Sequence, residues 1–198
     1  MTATPVLPAR GRPRSAAADR AIVLATLGLL EEHGYSGLTM ASVAERAGVS
    51  TATLYRRYSS KQELVVGALA TLVPDRPPPD TGSLEGDLRD TLRRIAENMS
   101  GDRGRLLLGL AGEIIRHPAL AEPLRARLRQ PMQENIVAML DRAAERGEIP
   151  QPADAEVAIA LIVGPLHYWL LSGETISPAV VKTLVPMVLR ALGAAESE

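Results

Sequence analysis

The side chains best suited to chemistry are hydroxyl and basic residues that share one side of a short predicted helix: Thr51, Thr53, Arg56 and Arg57. Arginine donates paired hydrogen bonds to guanine or holds a phosphate, and threonine reads a base edge or contacts a thymine methyl group. The other side of the helix carries Leu54, which we expect to pack inward. This pattern predicts a polar, basic helix face that contacts DNA. A solvated face without a partner is the alternative interpretation.

Two short helices joined by a tight turn are expected to position this face. Thr39 is suited to cap a helix over residues 40–47, because its hydroxyl can accept a hydrogen bond from a free backbone amide. Gly48 is expected to end that helix, since glycine reaches the left-handed conformation at low cost. Ser50 can cap the second helix, and Lys61, at the start of a further helix, can meet a phosphate. The arrangement is a helix-turn-helix, whose second helix lies in the DNA major groove.

The wider motif is more specific than helix-turn-helix geometry alone. In chain order it reads Gly34-Tyr35, Leu38-Thr39, Gly48-Val49-Ser50, Thr53-Leu54-Tyr55, Arg56-Arg57, Tyr58, Ser60-Lys61 and Glu63-Leu64. This order resembles the DNA-binding domain of the TetR family of transcriptional repressors over about residues 16–70. The resemblance implies a homodimeric, all-helical repressor of a palindromic operator, released when its C-terminal domain binds a small molecule.

The resemblance also implies which residues contact DNA. They lie on the second helix of the motif, at its junctions and at the front of the preceding helix, where Met40 stands at a position that family members often fill with a basic or hydroxyl residue. The residues are Thr39, Met40, Ser50, Thr51, Thr53, Tyr55, Arg56, Arg57 and Lys61.

The distribution of charge supports a nucleic-acid-binding head. The net charge of −1 argues by itself against a polyanionic partner. Residues 1–61, however, contain eight Arg and Lys against four Asp and Glu, so they carry +4 and the remainder carries −5. A basic N-terminal third on an acidic body is typical of a DNA-binding head followed by a regulatory domain.

Three regions are predicted along the chain. Residues 1–14, with three arginines and no apolar periodicity, are expected to be a disordered basic arm that reaches DNA or merely improves solubility. Residues 15–60 are expected to form the three-helix DNA-binding domain. Residues 61–198 are expected to form the ligand-binding and dimerisation domain. A stretch with four prolines in residues 74–79 cannot continue a helix and predicts a stiff loop.

The remaining chain shows helical periodicity and no strand pattern, so the predicted fold is all-α with about nine helices. Pro131 falls inside a long amphipathic pattern and predicts a kink or local irregularity there. The last two helices, about residues 154–171 and 177–192, are apolar on too many sides for a lone monomer. They predict a homodimer surface. The alternative is that these faces only close the core of one chain.

The ligand-binding residues are harder to identify. Candidates come from the helices expected to enclose a pocket, and ordinary core packing is the alternative for most of them. They are Leu107, Leu110, Ile114, Met132, Ile136, Met139, Leu166, His167, Tyr168 and Trp169. The chain contains no Phe, so the pocket is expected to be largely aliphatic.

Several other classes of protein are disfavoured. His33, His117 and His167 are far apart and lack metalloprotease spacing, and no nucleophile elbow or phosphate-binding glycine loop occurs. We therefore expect no enzyme, no metal and no cofactor. A helical protein-binding adaptor would leave Arg56 and Arg57 without a role, whereas a transcriptional activator of the same fold stays open. The absence of Cys, of a membrane-length apolar run and of a signal peptide predicts a cytoplasmic protein.

Overall fold

The computed structural model describes residues 13–73, 76–150 and 154–194, which form α-helices and no β-strand. The predicted all-α fold is confirmed. The helices are α1 (Pro13–Gly37), α2 (Met40–Arg46), α3 (Thr51–Tyr55), α4 (Lys61–Ala70), α5 (Leu84–Asn98), α6 (Gly101–Arg116), α7 (Ala121–Leu124), α8 (Gln130–Glu145), α9 (Ala155–Leu171) and α10 (Pro178–Ala191). They divide between two compact units, one up to Thr71 and one from Leu72 onward. Of the predicted basic arm, residues 1–12 lie outside the described residues.

In the first unit, α1 packs against α2 and α4, and α2 packs against α3. Its core contains Ile22, Val43, Leu54 and Leu64, each completely buried. Each lies on a different helix, so the hydrophobic effect brings the buried faces of α1, α2, α3 and α4 together. Near the end of α1, Gly34 leaves the helical conformation with φ 65° and ψ −178°, a backbone geometry that favours glycine.

In the second unit, α5 packs against α8, α9 and α10, and α6 packs against α9. One continuous apolar core runs through α5, α8, α9 and α10. Its fully buried large side chains include Leu84, Leu88, Leu92, Ile136, Met139 and Leu140.

The irregularity predicted at Pro131 is confirmed. A 3₁₀ turn over Pro118–Leu120 leads into the four-residue α7, and a π-helical turn over Arg125–Arg129 separates α7 from α8. Proline lacks an amide hydrogen and its ring clashes with the carbonyl four residues earlier, so the ladder of hydrogen bonds shifts just before it. This break divides one predicted helix into α7 and α8, which explains why there are ten α-helices in the described residues rather than about nine.

The loop before α5 is fixed by a buried carboxylate. Asp87 is completely buried, and its Oδ1 accepts hydrogen bonds from the backbone N (2.6 Å) and hydroxyl (2.8 Å) of Thr81. Arg142 on α8 lies 3.7 Å from Asp87 Oδ2 and donates to the carbonyl of Pro79 at 2.7 Å. A Cβ on Gly86 would lie 2.2 Å from the Thr81 hydroxyl, so this close packing requires glycine. The proline-rich loop is therefore tied to α5 and α8.

Candidate nucleic-acid interface and ligand region

Side-chain caps and a glycine define helix α2 and the turn that joins it to α3. Thr39 accepts a hydrogen bond from the backbone N of Ser42 at 3.0 Å, and Ser42 accepts one from the backbone N of Thr39 at 3.1 Å. This reciprocal capping box satisfies two amides at the start of α2. Gly48 follows α2 with φ 65°, the left-handed conformation predicted for it. Val49 then donates to the carbonyl of Ala44 at 3.0 Å and closes the turn.

Helix α3 is short and held by a cap and one buried side chain. Ser50 Oγ accepts a hydrogen bond from the backbone N of Thr53 at 3.1 Å and also shares one with the Thr53 hydroxyl at 2.9 Å. Leu54 is its single buried residue. Five residues do not form a stable helix in isolation, so the direction of α3 depends on these contacts with the rest of the unit.

The exposed side of α3 and its C-cap residue Arg56 carry residues predicted to contact DNA. Thr51, Tyr55 and Arg56 are exposed, and Tyr55 leaves 55% of its surface in solvent. The guanidinium of Arg56 makes no hydrogen bond or ion pair with any residue that the structure describes. Thr53 is half-buried, with its hydroxyl engaged by Ser50. The face therefore presents a hydroxyl, a phenol and an unpaired cation together.

Other predicted DNA-contact residues have protein partners or are buried. Thr39 and Ser50 are exposed but serve as helix caps. Met40 is 8% exposed, so its side chain lies in the core of the unit and not on its surface. Lys61 Nζ lies 4.3 Å from the centre of the Tyr35 ring and 3.4 Å from the carbonyl of Ser36.

Two arginines of the motif are paired with carboxylates of α1. Arg57 Nε donates to Asp19 Oδ1 at 2.5 Å, and the Arg57 side chain is only 20% exposed. Arg46 donates to both carboxylate oxygens of Glu32, at 2.8 and 2.7 Å. The hydrogen bond from Arg46 holds the pKa of Glu32 below its ordinary value of 4.5. From the sequence, Asp19 is expected only as a possible start of the first helix and Glu32 has no expected role, because the partner of each lies far along the chain.

The junction into α4 is also satisfied by side chains. The carboxylate of Glu63 accepts hydrogen bonds from both the hydroxyl and the backbone N of Ser59 at 2.7 Å. These bonds lower the pKa of Glu63, with the hydroxyl making the larger contribution. Burial raises the pKa of the neighbouring Tyr58, which faces α4. Tyr58 therefore packs as an uncharged side chain beneath the motif.

The candidate ligand residues fall into separate environments. Ile136, Met139 and Leu166 belong to the buried core, and Met132 and Trp169 pack against it. Leu107 and Ile114 are half-buried on α6, and the side chain of Leu110 lies outside the described residues. His167 and Tyr168 are exposed on α9. The structure thus brings together five of the ten candidates and turns the histidine and tyrosine away from them.

A surface groove of about 420 Å³ lies between α8 and α9. It has an apolar floor and an acidic rim, and it contains none of the predicted ligand residues. It is lined by Gln130, Gln133, Glu134, Val137, Ala138, Asp141, Ala155, Glu156 and Ile159.

The outer side of α9 carries an exposed apolar row. Val157, Leu161, Tyr168 and Leu171 are all exposed, and Gly164 lies between them. Their spacing alternates between four and three residues, which is the repeat of helices that pack side by side. The large exposed area is unusual for apolar side chains of this size.

Neither a membrane-spanning helix nor a cluster of metal-ligating side chains occurs in the described parts of the chain. No helix within them is both long and apolar enough to cross a membrane. The same parts contain no group of three His, Asp or Glu side chains that could hold a metal ion.

Comparison with known proteins matches both units. Residues 22–68 match the family model for bacterial regulatory proteins of the tetR family, and residues 78–188 match the model for a tetracyclin repressor-like C-terminal domain. The uncharacterized HTH-type transcriptional regulator YdeS of Bacillus subtilis is 35% identical over 89% of this chain and 90% of that protein. The DNA-binding transcriptional repressor TetR of Mycobacteroides abscessus is 31% identical over 93% of this chain and 96% of its own.

The fold agrees with these relatives. The crystal structure of the TetR family transcription regulator SCO0332 superposes with a TM-score of 0.65 and 28% identity, covering 87% of this chain and 97% of that one. The relatives are transcriptional regulators rather than enzymes. The chain therefore belongs to the TetR family of helix-turn-helix transcriptional regulators.

Proposed function

We propose that this protein represses transcription by binding a palindromic operator as a homodimer and that a small molecule bound in its second unit releases it. The observation that carries the proposal is the exposed face of α3, where Arg56 lies beside Thr51 and Tyr55 and pairs with no residue in the described parts of the chain. An adaptor that binds only proteins would have no use for this combination. A regulator of this kind acts where the chromosome lies, in the cytoplasm.

Each exposed residue of α3 suits a different part of the duplex. Arg56 can donate two parallel hydrogen bonds to guanine or hold a phosphate, and Thr51, at the start of the helix, can approach a base edge. Tyr55 can donate its phenolic hydrogen to a phosphate. We assign base or phosphate contact to these three residues. We do not assign DNA contact to Met40, because its side chain is buried.

Dimerisation through α9 and α10 is supported by the exposed apolar row of α9. A two-fold interface uses the same patch on both protomers, so one self-complementary helix face is sufficient. Gly164 fits this arrangement, because a Cβ there would meet no atom within 4 Å of the same chain. Glycine also relieves the clash that a residue before Pro165 would otherwise have inside a helix. Both features leave room for a partner helix at the middle of the row.

For the effector we propose the largely aliphatic region around Met132, Ile136, Met139, Leu166 and Trp169. Its residues come from α8 and α9, so a ligand that separates these helices would be coupled to the dimer surface on α9. A ligand shifts the population between two dimer states only by its differential affinity for them. We propose that the liganded state no longer spaces its two recognition helices by one turn of DNA.

The experiment that tests this proposal measures DNA affinity of the wild type and of Arg56→Ala over a series of salt concentrations. Loss of a bidentate arginine contact is expected to cost ~1–3 kcal/mol, which is about a 5- to 150-fold loss of affinity. The slope of log affinity against log salt shows which group Arg56 contacts, because loss of a phosphate contact reduces that slope by about one and loss of a base contact does not.

The matched control is Arg89→Ala, which removes an exposed arginine from α5 in the second unit. It lowers the net charge by the same amount and should leave affinity within about twofold of the wild type, since surface charges beyond a Debye length of ~8–10 Å are largely screened. Unchanged affinity in Arg56→Ala would remove α3 as the reading element. A wild type whose affinity does not depend on salt would favour the adaptor.

A further inference from the structure

Arg57 is placed differently from the other cation of the basic pair. Arg56, the C-cap residue of α3, is exposed and has no partner among the described residues, whereas the Arg57 side chain is four-fifths buried and turned toward α1. Its Nε donates to Asp19 Oδ1 at 2.5 Å, and its Nη1 donates to the carbonyl of Thr53 at 3.3 Å. One guanidinium thus joins a carboxylate of α1 to the last turn of α3.

The contact with Thr53 satisfies a backbone group at the end of the recognition helix. The last carbonyls of a helix have no intrahelical partner, and a cation near them also interacts favourably with the helix dipole. Because α3 is only five residues long and buries only Leu54, few other contacts fix the direction of its C-terminal end. Tyr55 and Arg56, the proposed DNA contacts, lie at that end.

We infer that Asp19 and Arg57 form a positioning pair that orients the recognition helix, and that Arg57 does not itself contact DNA. The inference rests on the proposed function, since it assigns these residues a role in DNA binding. Arg57 donates its Nε hydrogen to Asp19 and an Nη1 hydrogen to Thr53, and swinging the side chain out to a phosphate would break both contacts. Arg46 and Glu32 tie the end of α2 to α1 in a similar way.

The positioning role and a direct contact predict opposite effects for Asp19→Asn. Removing an acid from a DNA-binding head should strengthen binding to a polyanion if electrostatics alone acts. The positioning pair predicts weaker binding, because Arg57 loses its ionised partner and α3 loses its tether. We expect a loss of about 5-fold, within the range of coupling between contacting residues. Glu31→Gln is the matched control, since it removes an exposed acid of α1 outside the pair.

The experiment measures affinity over a salt series for a duplex enriched from a random pool by the wild-type protein. Asp19→Asn and Arg57→Lys should both weaken binding without changing the salt slope, and Asp19→Glu should restore it to within about twofold of the wild type because the carboxylate is retained. The double variant Asp19→Asn/Arg57→Lys should bind no more weakly than the worse single variant. Glu31→Gln should bind as tightly as the wild type or more tightly.

The outcomes separate failure of the positioning role from failure of the proposed function. The positioning role is wrong if Asp19→Asn binds DNA as tightly as the wild type or more tightly. It is also wrong if Arg57→Ala reduces the slope of log affinity against log salt by about 0.9, which is the value for one lost phosphate contact. Circular dichroism of each variant shows whether a loss of affinity reflects unfolding. If Asp19→Asn is unfolded, Asp19→Glu decides the question, because an Asp19→Glu variant that is folded but does not regain DNA affinity also contradicts the positioning pair. If the wild type enriches no duplex, the proposed function fails instead.

Discussion

Leu171→Ala should weaken the dimer while leaving the monomer almost as stable as before. Leu171 lies at the end of the exposed apolar row on α9 and has 68% of its surface in solvent. Because most of the side chain touches nothing in its own chain, its removal takes little from the core. In a two-fold dimer the same change is made on both sides of the interface.

The magnitude follows from that exposure. Complete burial of a leucine side chain contributes ~1.5–3 kcal/mol, so covering the exposed two-thirds contributes ~1–2 kcal/mol per protomer and ~2–4 kcal/mol per dimer. Alanine retains part of the contact, so we expect the lower end of the range per dimer, ~2 kcal/mol. The dimer Kd is then expected to rise about 30-fold.

Sedimentation equilibrium of the wild type, Leu171→Ala and Ile115→Ala measures this effect. Ile115 on α6 is 81% exposed and lies outside the row, so it is a matched apolar truncation. The control should keep the Kd of the wild type. The interface assignment is refuted if Leu171→Ala dimerises like the wild type, or if Ile115→Ala weakens the dimer to the same extent.

Two further predictions concern the first unit. Gly48→Ala should destabilise the turn by ~1–2 kcal/mol through its left-handed backbone alone, since a Cβ there meets no atom within 4 Å, and Gly48→Asn should cost less. Hydrogen exchange of the amides in α2 and α3 measures this, and equal protection in the wild type and Gly48→Ala would contradict it. Glu32 has a pKa lowered by its hydrogen bond from Arg46, so its stabilising contribution is present above the ordinary value of 4.5 and is lost as pH falls through the lower folded pKa. The melting temperature of Glu32→Gln should therefore lie below that of the wild type at neutral pH and converge with it in acid; a constant difference would contradict the pairing.

The local features of the first unit were predictable from the sequence because they depend on neighbouring residues. Caps at Thr39 and Ser50 require only a hydroxyl three residues before a free amide, and the turn at Gly48 requires only a residue that adopts positive φ. The irregularity before Pro131 has an equally local cause. Such features follow from side-chain chemistry and spacing along a few residues.

Features that depend on distant residues were not predictable. Asp19 and Arg57 are 38 positions apart, and nothing in either neighbourhood indicates that they meet. The orientation of α9 was equally hidden, because apolar residues surround the whole helix and give no preferred face. His167 and Tyr168 were therefore grouped with Leu166, although the structure turns them outward and Leu166 inward.

The burial of Met40 was also not predictable from its place in the motif. The resemblance to the TetR family implied DNA contact at its position on the front of α2, yet an apolar side chain gains more from the core than from solvent. The type of residue, rather than its place in the motif, decides where the side chain lies. Residue-by-residue transfer of a role is therefore weakest where the chemistry differs.

Selection of bound sites from a random duplex-DNA pool by the purified wild-type protein, followed by sequencing, tests whether a two-fold dimer reads DNA through α3. The account predicts a palindromic motif whose half-sites lie about one helical turn apart, because two recognition helices related by a two-fold axis read successive major grooves on one side of the duplex. A motif without two-fold symmetry would contradict the dimer, and no enrichment would contradict the assignment of α3 as the element that reads DNA.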